Sequence, residues 1–104
     1  GVNLGLPDVA TLADETLALM REDAAVDPSD VEIDGRWIGE DYAVPTPEGA
    51  AAIEWAARRG GWIMDPTYSG KGCSGLLGLV AEGRWADDDD VVFVHTGGWP
   101  ALFA

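Results

Sequence analysis

The chain is poor in bases, cysteine and histidine. Its 104 residues hold six Lys and Arg against nineteen Asp and Glu, for a formal net charge of −13 and a pI near 4.1. Uniform negative charge repels phosphate backbones and anionic lipid, so neither nucleic acid nor a membrane surface is the expected partner. This balance fits an acidic, salt-adapted or high-GC host, or simple solubility. A single cysteine, Cys73, cannot close an intramolecular disulfide, which fits a reducing compartment. One histidine and no cysteine cluster argue against a metal site. No apolar run approaches bilayer length and no basic-then-apolar signal opens the chain, so the expected location is the cytoplasm. Internal repeats and low-complexity linkers are absent too.

The length allows one domain with a modest core, and the hydrophobic fraction of 47 % argues against disorder. Gly1, Val2, Asn3 and Leu4 read as a start in mid-domain. Residues 8–20 carry Val9, Leu12, Ala13, Thr16, Leu17, Leu19 and Met20 near helical spacing, with Pro7-Asp8 as the start and Thr11 with Asp14 as a weaker cap. The helix should fade by Ala24-Ala25, and residues 27–30 read as a turn. Residues 31–33 alternate like a short strand, and Asp34-Gly35 offers a hairpin turn into residues 36–38. Residues 39–45 form a loop. Thr46-Pro47-Glu48 then starts a helix with a cap, a first-turn proline and an acid, and Gly60-Gly61 stops it after Arg58 and Arg59.

Trp62, Ile63 and Met64 predict a buried strand, and their continuous apolar character suggests a parallel sheet covered on both faces. Ser69 is placed to cap a helix that runs to about Glu82 and ends at Gly83. Its Gly70, Gly72, Gly75 and Gly78 are poor helix formers, which implies close approach of backbone to backbone or to a ligand. Asp87 to Asp90 lack the spacing of a calcium loop and read as a solvated turn. Val91, Val92, Phe93 and Val94 form the clearest strand expectation, with His95, Thr96, Gly97 and Gly98 at its end.

Two strands ending in polar, glycine-rich turns on one sheet edge would bring Tyr68, Ser69, His95 and Thr96 to one crevice, and helix N-termini there offer unpaired N–H groups. Ser69-Gly70-Lys71-Gly72 lacks the full phosphate-loop pattern. Cys73 with His95 could be a nucleophile pair, or Cys73 a small packed side chain. His95 could be a general base, a metal ligand or a packed residue. Tyr68 could be an acid or base if a cation lowers its pKa, or a tyrosine bonded to backbone.

Three motifs in order carry a resemblance: Tyr42-Ala43-Val44-Pro45, Asp65-Pro66-Thr67-Tyr68-Ser69-Gly70-Lys71, and His95-Thr96-Gly97-Gly98 followed by Pro100-Ala101-Leu102-Phe103-Ala104. They resemble the C-terminal part of the D-cysteine desulfhydrase and 1-aminocyclopropane-1-carboxylate deaminase family, pyridoxal-phosphate enzymes of the tryptophan-synthase-β fold type. The resemblance spans residues 1–104, weaker over 1–30 and strong from 39 onwards. It implies an α/β fold, a partial parallel sheet flanked by helices, as a piece of the large cofactor domain of a fold type II enzyme. It implies that Tyr42 and Tyr68 face the substrate, that Thr96 bonds the pyridine nitrogen, and that Gly97 and Gly98 let the backbone pass close to the ring.

Deaminases of this family resemble one another in having glutamate after the motif tyrosine and leucine after the histidine. Ser69 and Thr96 stand there instead, and imply a substrate-binding role for Ser69 and desulfhydrase chemistry: D-cysteine to pyruvate, sulfide and ammonia. The family's Schiff-base lysine has no counterpart, since Lys71, the only lysine, matches the lysine after the tyrosine turn. The resemblance therefore implies a fragment, about the last third of a family member, inactive alone, whose partners are a small amino-acid substrate, the missing N-terminal part and further copies in a homo-oligomer. The alternatives are deaminase chemistry, or a non-catalytic, self-associating α/β fragment.

Overall fold

A computed structural model describes residues 8–103; the expectations for residues 1–7 and Ala104 lie outside the described residues. The chain divides into two compact units, the first ending at Gly35 and the second beginning at Arg36.

In the first unit, helix α1 (Val9–Leu19) starts where the Asp8 carboxylate accepts the N–H groups of Ala10 (2.8 Å) and Thr11 (3.2 Å). Those are two of the donors that a helix start leaves without intrahelical partners. Asp14, inside the helix, accepts instead from the Val26 N–H and ties the following segment back onto α1. Asp27 caps a short 3-10 turn, Pro28–Asp30, by accepting from Ser29 N–H and Oγ. These bonds from Ser29 hold the Asp27 carboxyl below its ordinary value.

The second unit is built on α2 (Pro47–Gly60) packed against α3 (Ser69–Ala81). Thr46 Oγ1 accepts from Gly49 N–H at 3.0 Å to open α2. At its other end Gly61 takes φ +66°, and the N–H groups of Gly61 and Trp62 fold back onto the carbonyls of Ala57 and Ala56. Ala52, Ala56, Met64 and Cys73 form the buried core, flanked by Ile53, Leu77 and Phe93. Trp37 packs closely over α3: a Cβ on Gly78 would stand 2.0 Å from its ring. Arg36, beside it, makes a two-pronged ion pair with Glu82 (2.6 and 3.2 Å).

The expected parallel sheet is not formed. The described residues contain no strand; they hold α1, α2 and α3, with 3-10 turns at Pro28–Asp30, Gly35–Trp37 and Trp99–Phe103. A ladder needs backbone N–H and C=O groups free to exchange with a neighbour, and here many are already spent. Around residues 62–64, Trp62 N–H closes the end of α2, Ile63 C=O binds His95 Nε2 and Asp65 N–H binds Ser69 Oγ. The proposed hairpin fails similarly: Val31 N–H bonds Pro28 C=O, and Gly35 opens a 3-10 turn rather than a β-turn. In residues 91–94 Phe93 turns to the core, while Val92 and Val94 stay 85 % and 74 % exposed. Two short apolar runs do not make an independently stable sheet.

Gly70 and Gly78 of α3 serve close approach. A Cβ on Gly70 would lie 2.6 Å from the Asp65 carbonyl, which itself accepts the Gly70 N–H at 2.8 Å. On Gly72 it would meet only the Phe93 ring at 3.8 Å. Gly70→Ala should therefore lower stability, because an overpacking cost of about 1–3 kcal/mol exceeds a helix-propensity gain of about 1 kcal/mol. Gly72→Ala should be neutral or stabilising. Chemical denaturation of both variants checks this, and equal shifts in the two would contradict the packing account.

Candidate functional site

Asp65 closes the turn that precedes α3. Its Oδ2 accepts the N–H groups of Thr67 and Tyr68, both at 2.7 Å, and Oδ1 accepts Ser69 N–H at 2.9 Å and Ser69 Oγ at 2.7 Å. Ser69 Oγ in turn accepts the Asp65 N–H at 2.9 Å. Burial is the largest single influence on the Asp65 carboxyl and pushes its pKa up. The bonds from Ser69, Tyr68 and Thr67 together outweigh it and hold the group at about 2. Asp65, not Ser69, thus satisfies the start of the helix. The N–H groups expected to await a ligand there are already occupied by this carboxylate.

The turn leaves Tyr68 pointing outwards to meet Tyr42. Their hydroxyls share a hydrogen bond, and their rings stand edge to face with centroids 5.9 Å apart. The bond to Tyr42 raises the Tyr68 pKa above the ordinary phenol value, helped by partial desolvation and by the charge of Asp65. The sequence's only lysine does not lower it: Lys71 is buried and its ammonium bonds the carbonyls of Ile38 (2.6 Å) and Asp41 (3.2 Å). Tyr68 therefore keeps its proton at neutral pH and is suited to donating a hydrogen bond, not to acting as a base.

The third segment, residues 95–98, is pinned by His95. Its Nε2 bonds the Ile63 carbonyl at 2.8 Å and its Nδ1 accepts Gly97 N–H at 3.1 Å. A carbonyl can only accept, so Nε2 is the donor to Ile63, while Nδ1 takes the Gly97 N–H. Both nitrogens are taken by backbone, which makes His95 a structural pin. Gly98, at φ +130°, brings its backbone so close to Asp65 that a Cβ would lie 2.8 Å from the Asp65 nitrogen. Cys73 is buried in the core, and that burial raises its thiol pKa; it packs rather than reacts.

Between these segments lies a cleft of about 300 Å³, lined by Tyr42, Asp65, Thr67, Tyr68, Thr96, Gly97, Gly98, Pro100 and Ala101. It brings together Tyr42, Tyr68, Thr96, Gly97 and Gly98. Ser69 is not in the lining; it is buried behind the wall, with its hydroxyl engaged by Asp65. The role of Asp65 was missed in the sequence, although Asp-Pro followed by Thr and Ser is an aspartate-turn pattern. The two carbonyl bonds of Lys71 carry no local sequence signal.

No family model matches the chain. Among curated proteins, it is 51 % identical over 63 residues to a D-cysteine desulfhydrase of Serratia proteamaculans, covering 61 % of this chain and 19 % of that protein. It is 42 % identical over 77 residues to a D-cysteine desulfhydrase of Yersinia enterocolitica (74 % of this chain, 23 % of that protein). To a probable 1-aminocyclopropane-1-carboxylate deaminase of Cryptococcus neoformans it is 38 % identical over 96 residues (92 % and 28 %). The chain thus belongs to the D-cysteine desulfhydrase and 1-aminocyclopropane-1-carboxylate deaminase family, and it spans between a fifth and a little over a quarter of the length of these relatives.

The sequence contains two tyrosines, both in the cleft, so a phenol titration by ultraviolet difference spectroscopy reads this pair alone. Tyr68 should ionise above the ordinary tyrosine value, and Tyr42→Phe should bring it down towards that value. An unchanged Tyr68 midpoint in Tyr42→Phe would show that the hydroxyl bond is not the cause.

Proposed function

We propose that this chain forms one wall of the substrate and cofactor site of a pyridoxal-phosphate-dependent D-cysteine desulfhydrase. The observation that carries the reading is the single cleft shared by Tyr42, Tyr68, Thr96, Gly97 and Gly98.

The residues fit the flat edge of the cofactor ring. Thr96 is exposed at the cleft, and a Cβ on Gly97 would meet nothing within 4 Å, so backbone and hydroxyl are both open to a ring. They do not include its covalent anchor, because the only lysine of the sequence has its ammonium on the carbonyls of Ile38 and Asp41. Thr96 Oγ1 would hold the ring nitrogen through a neutral hydrogen bond, and Gly97 and Gly98 would lie along the ring edge. When bound, pyridoxal phosphate supplies an electron sink for negative charge developing at the substrate α-carbon.

The chain's own residues then orient the substrate. Tyr68, protonated and held by Tyr42, presents a hydroxyl that donates to a substrate carboxylate or to a departing thiolate; Tyr42 fixes that hydroxyl's direction and is the second substrate-facing group. Both act as catalytic residues in this reading. Ser69 contributes from behind the wall: through Asp65 it sets where Tyr68 stands. A glutamate at position 69 would set a second carboxylate beside that of Asp65, so the wall is built for serine. Together with the hydroxyl of Thr96 this favours D-cysteine over the cyclopropane substrate.

A chimera tests the reading: this chain replaces the matching segment of the Serratia protein, and sulfide and pyruvate formed from D-cysteine are measured. Activity should be retained. Adding Ser69→Glu and Thr96→Leu should cut sulfide release about tenfold or more, the scale of one lost hydrogen bond of about 1.4 kcal/mol. A chimera that releases no sulfide but deaminates the cyclopropane substrate, or an unaffected double variant, would contradict the assignment.

A further inference from the structure

Lys71 is the only lysine in a chain with nineteen acids, yet the residue is only 7 % exposed and its ammonium is bonded to two main-chain carbonyls. Burying an ammonium is costly unless its protons are taken up, so these bonds hold the carbonyls as firmly as they hold the lysine. The two carbonyls, of Ile38 and Asp41, bracket Gly39, whose φ of +81° and close approach to Thr46 suit glycine alone. The Asp41 carbonyl also accepts Val44 N–H at 3.3 Å, closing a four-residue turn with Tyr42 and Ala43 at its centre. Ala43 sits at φ +59°, a left-handed conformation that is strained for a residue with a side chain and must be held by its surroundings. At the tip of this turn, Tyr42 meets Tyr68, which stands three residues before Lys71. The start of α3 therefore grips the loop twice, at its base through Lys71 and at its tip through Tyr68.

We propose that Lys71 is a positioning residue: by holding the Ile38 and Asp41 carbonyls, its ammonium sets the Tyr42 hydroxyl against that of Tyr68 and so shapes the substrate-facing side of the cleft. The consequence for substrate rests on the proposed function; the link between lysine and tyrosine pair stands on geometry alone. The test therefore reads the pair and not turnover. A chimera without desulfhydrase activity would defeat the functional reading and leave this link intact.

Lys71→Met keeps a long side chain and removes every donor. In a deuterated chain with ring-protonated tyrosine, a cross-peak between two tyrosine rings has one possible source. The unaltered chain should show it. Lys71→Met should lose it while, in a fully protonated sample, contacts among Ala52, Ala56 and Cys73 persist, and Tyr68 should ionise closer to an ordinary phenol. A general loss of packing would instead move the core and the pair together. A folded Lys71→Met chain with the cross-peak at its original intensity overturns the proposal, as does an unaltered chain that lacks it. Should the variant fail to fold, Lys71→Gln replaces it: its amide is one atom shorter and should weaken the cross-peak, and a folded Lys71→Gln chain that keeps it at full intensity overturns the proposal.

Discussion

One carboxylate, buried and accepting four hydrogen bonds, organises the second unit. Asp65 takes N–H groups from Thr67, Tyr68 and Ser69 and the hydroxyl of Ser69. Hydrogen bonds to an ionised group contribute about 1.5–3 kcal/mol each, and their loss leaves a buried charge exposed to its full desolvation cost. The start of α3, the outward direction of Tyr68 and the burial of Ser69 all follow from this one group. So does the seat of Gly98, whose missing side chain lets residues 95–98 press against Asp65. The cleft exists because two separate segments, the Tyr42 loop and residues 95–101, converge on one turn.

Few apolar side chains back this arrangement. The core consists of Ala52, Ala56, Met64 and Cys73 with three partly buried neighbours, too little to place surface hydroxyls by packing alone. Polar clasps do that work: Lys71 on two carbonyls, His95 between the Ile63 carbonyl and Gly97 N–H, and Arg36 on Glu82. Each uses a long or bifunctional side chain to join segments distant in sequence. Such clasps are directional, which suits a wall whose purpose is to hold two tyrosines and a threonine around a cleft.

Local signals were legible in the sequence wherever one turn of chain decides the outcome. Thr46-Pro47-Glu48 starts α2, Gly61 ends it and Asp8 caps α1, because capping depends on residues three or four apart. The glycines of α3 also announced close approach, and Gly70 and Gly78 show it. The sheet was misread. Apolar runs at residues 62–64 and 91–94 have the composition of strands, but pairing is decided by which backbone groups remain free, and caps and side chains had claimed many of them. The motifs that carried the family resemblance also marked five residues that share the cleft. Ser69 and Lys71 were harder to place, since their partners, Asp65 across the turn and carbonyls some thirty residues away, are set by tertiary structure.

The most direct test is the ionisation of Asp65 itself, followed through its side-chain carboxyl carbon by NMR as acid is added. A folded-state pKa below the ordinary 3.8 means that the group stabilises the fold above that value and that this contribution is lost as pH falls through about 2. The account predicts a midpoint near 2, with the N–H resonances of Thr67, Tyr68 and Ser69 shifting at the same midpoint. A midpoint at or above 3.8, or amides that ignore the titration, would mean that the carboxylate does not hold this turn and that the cleft is organised by something else.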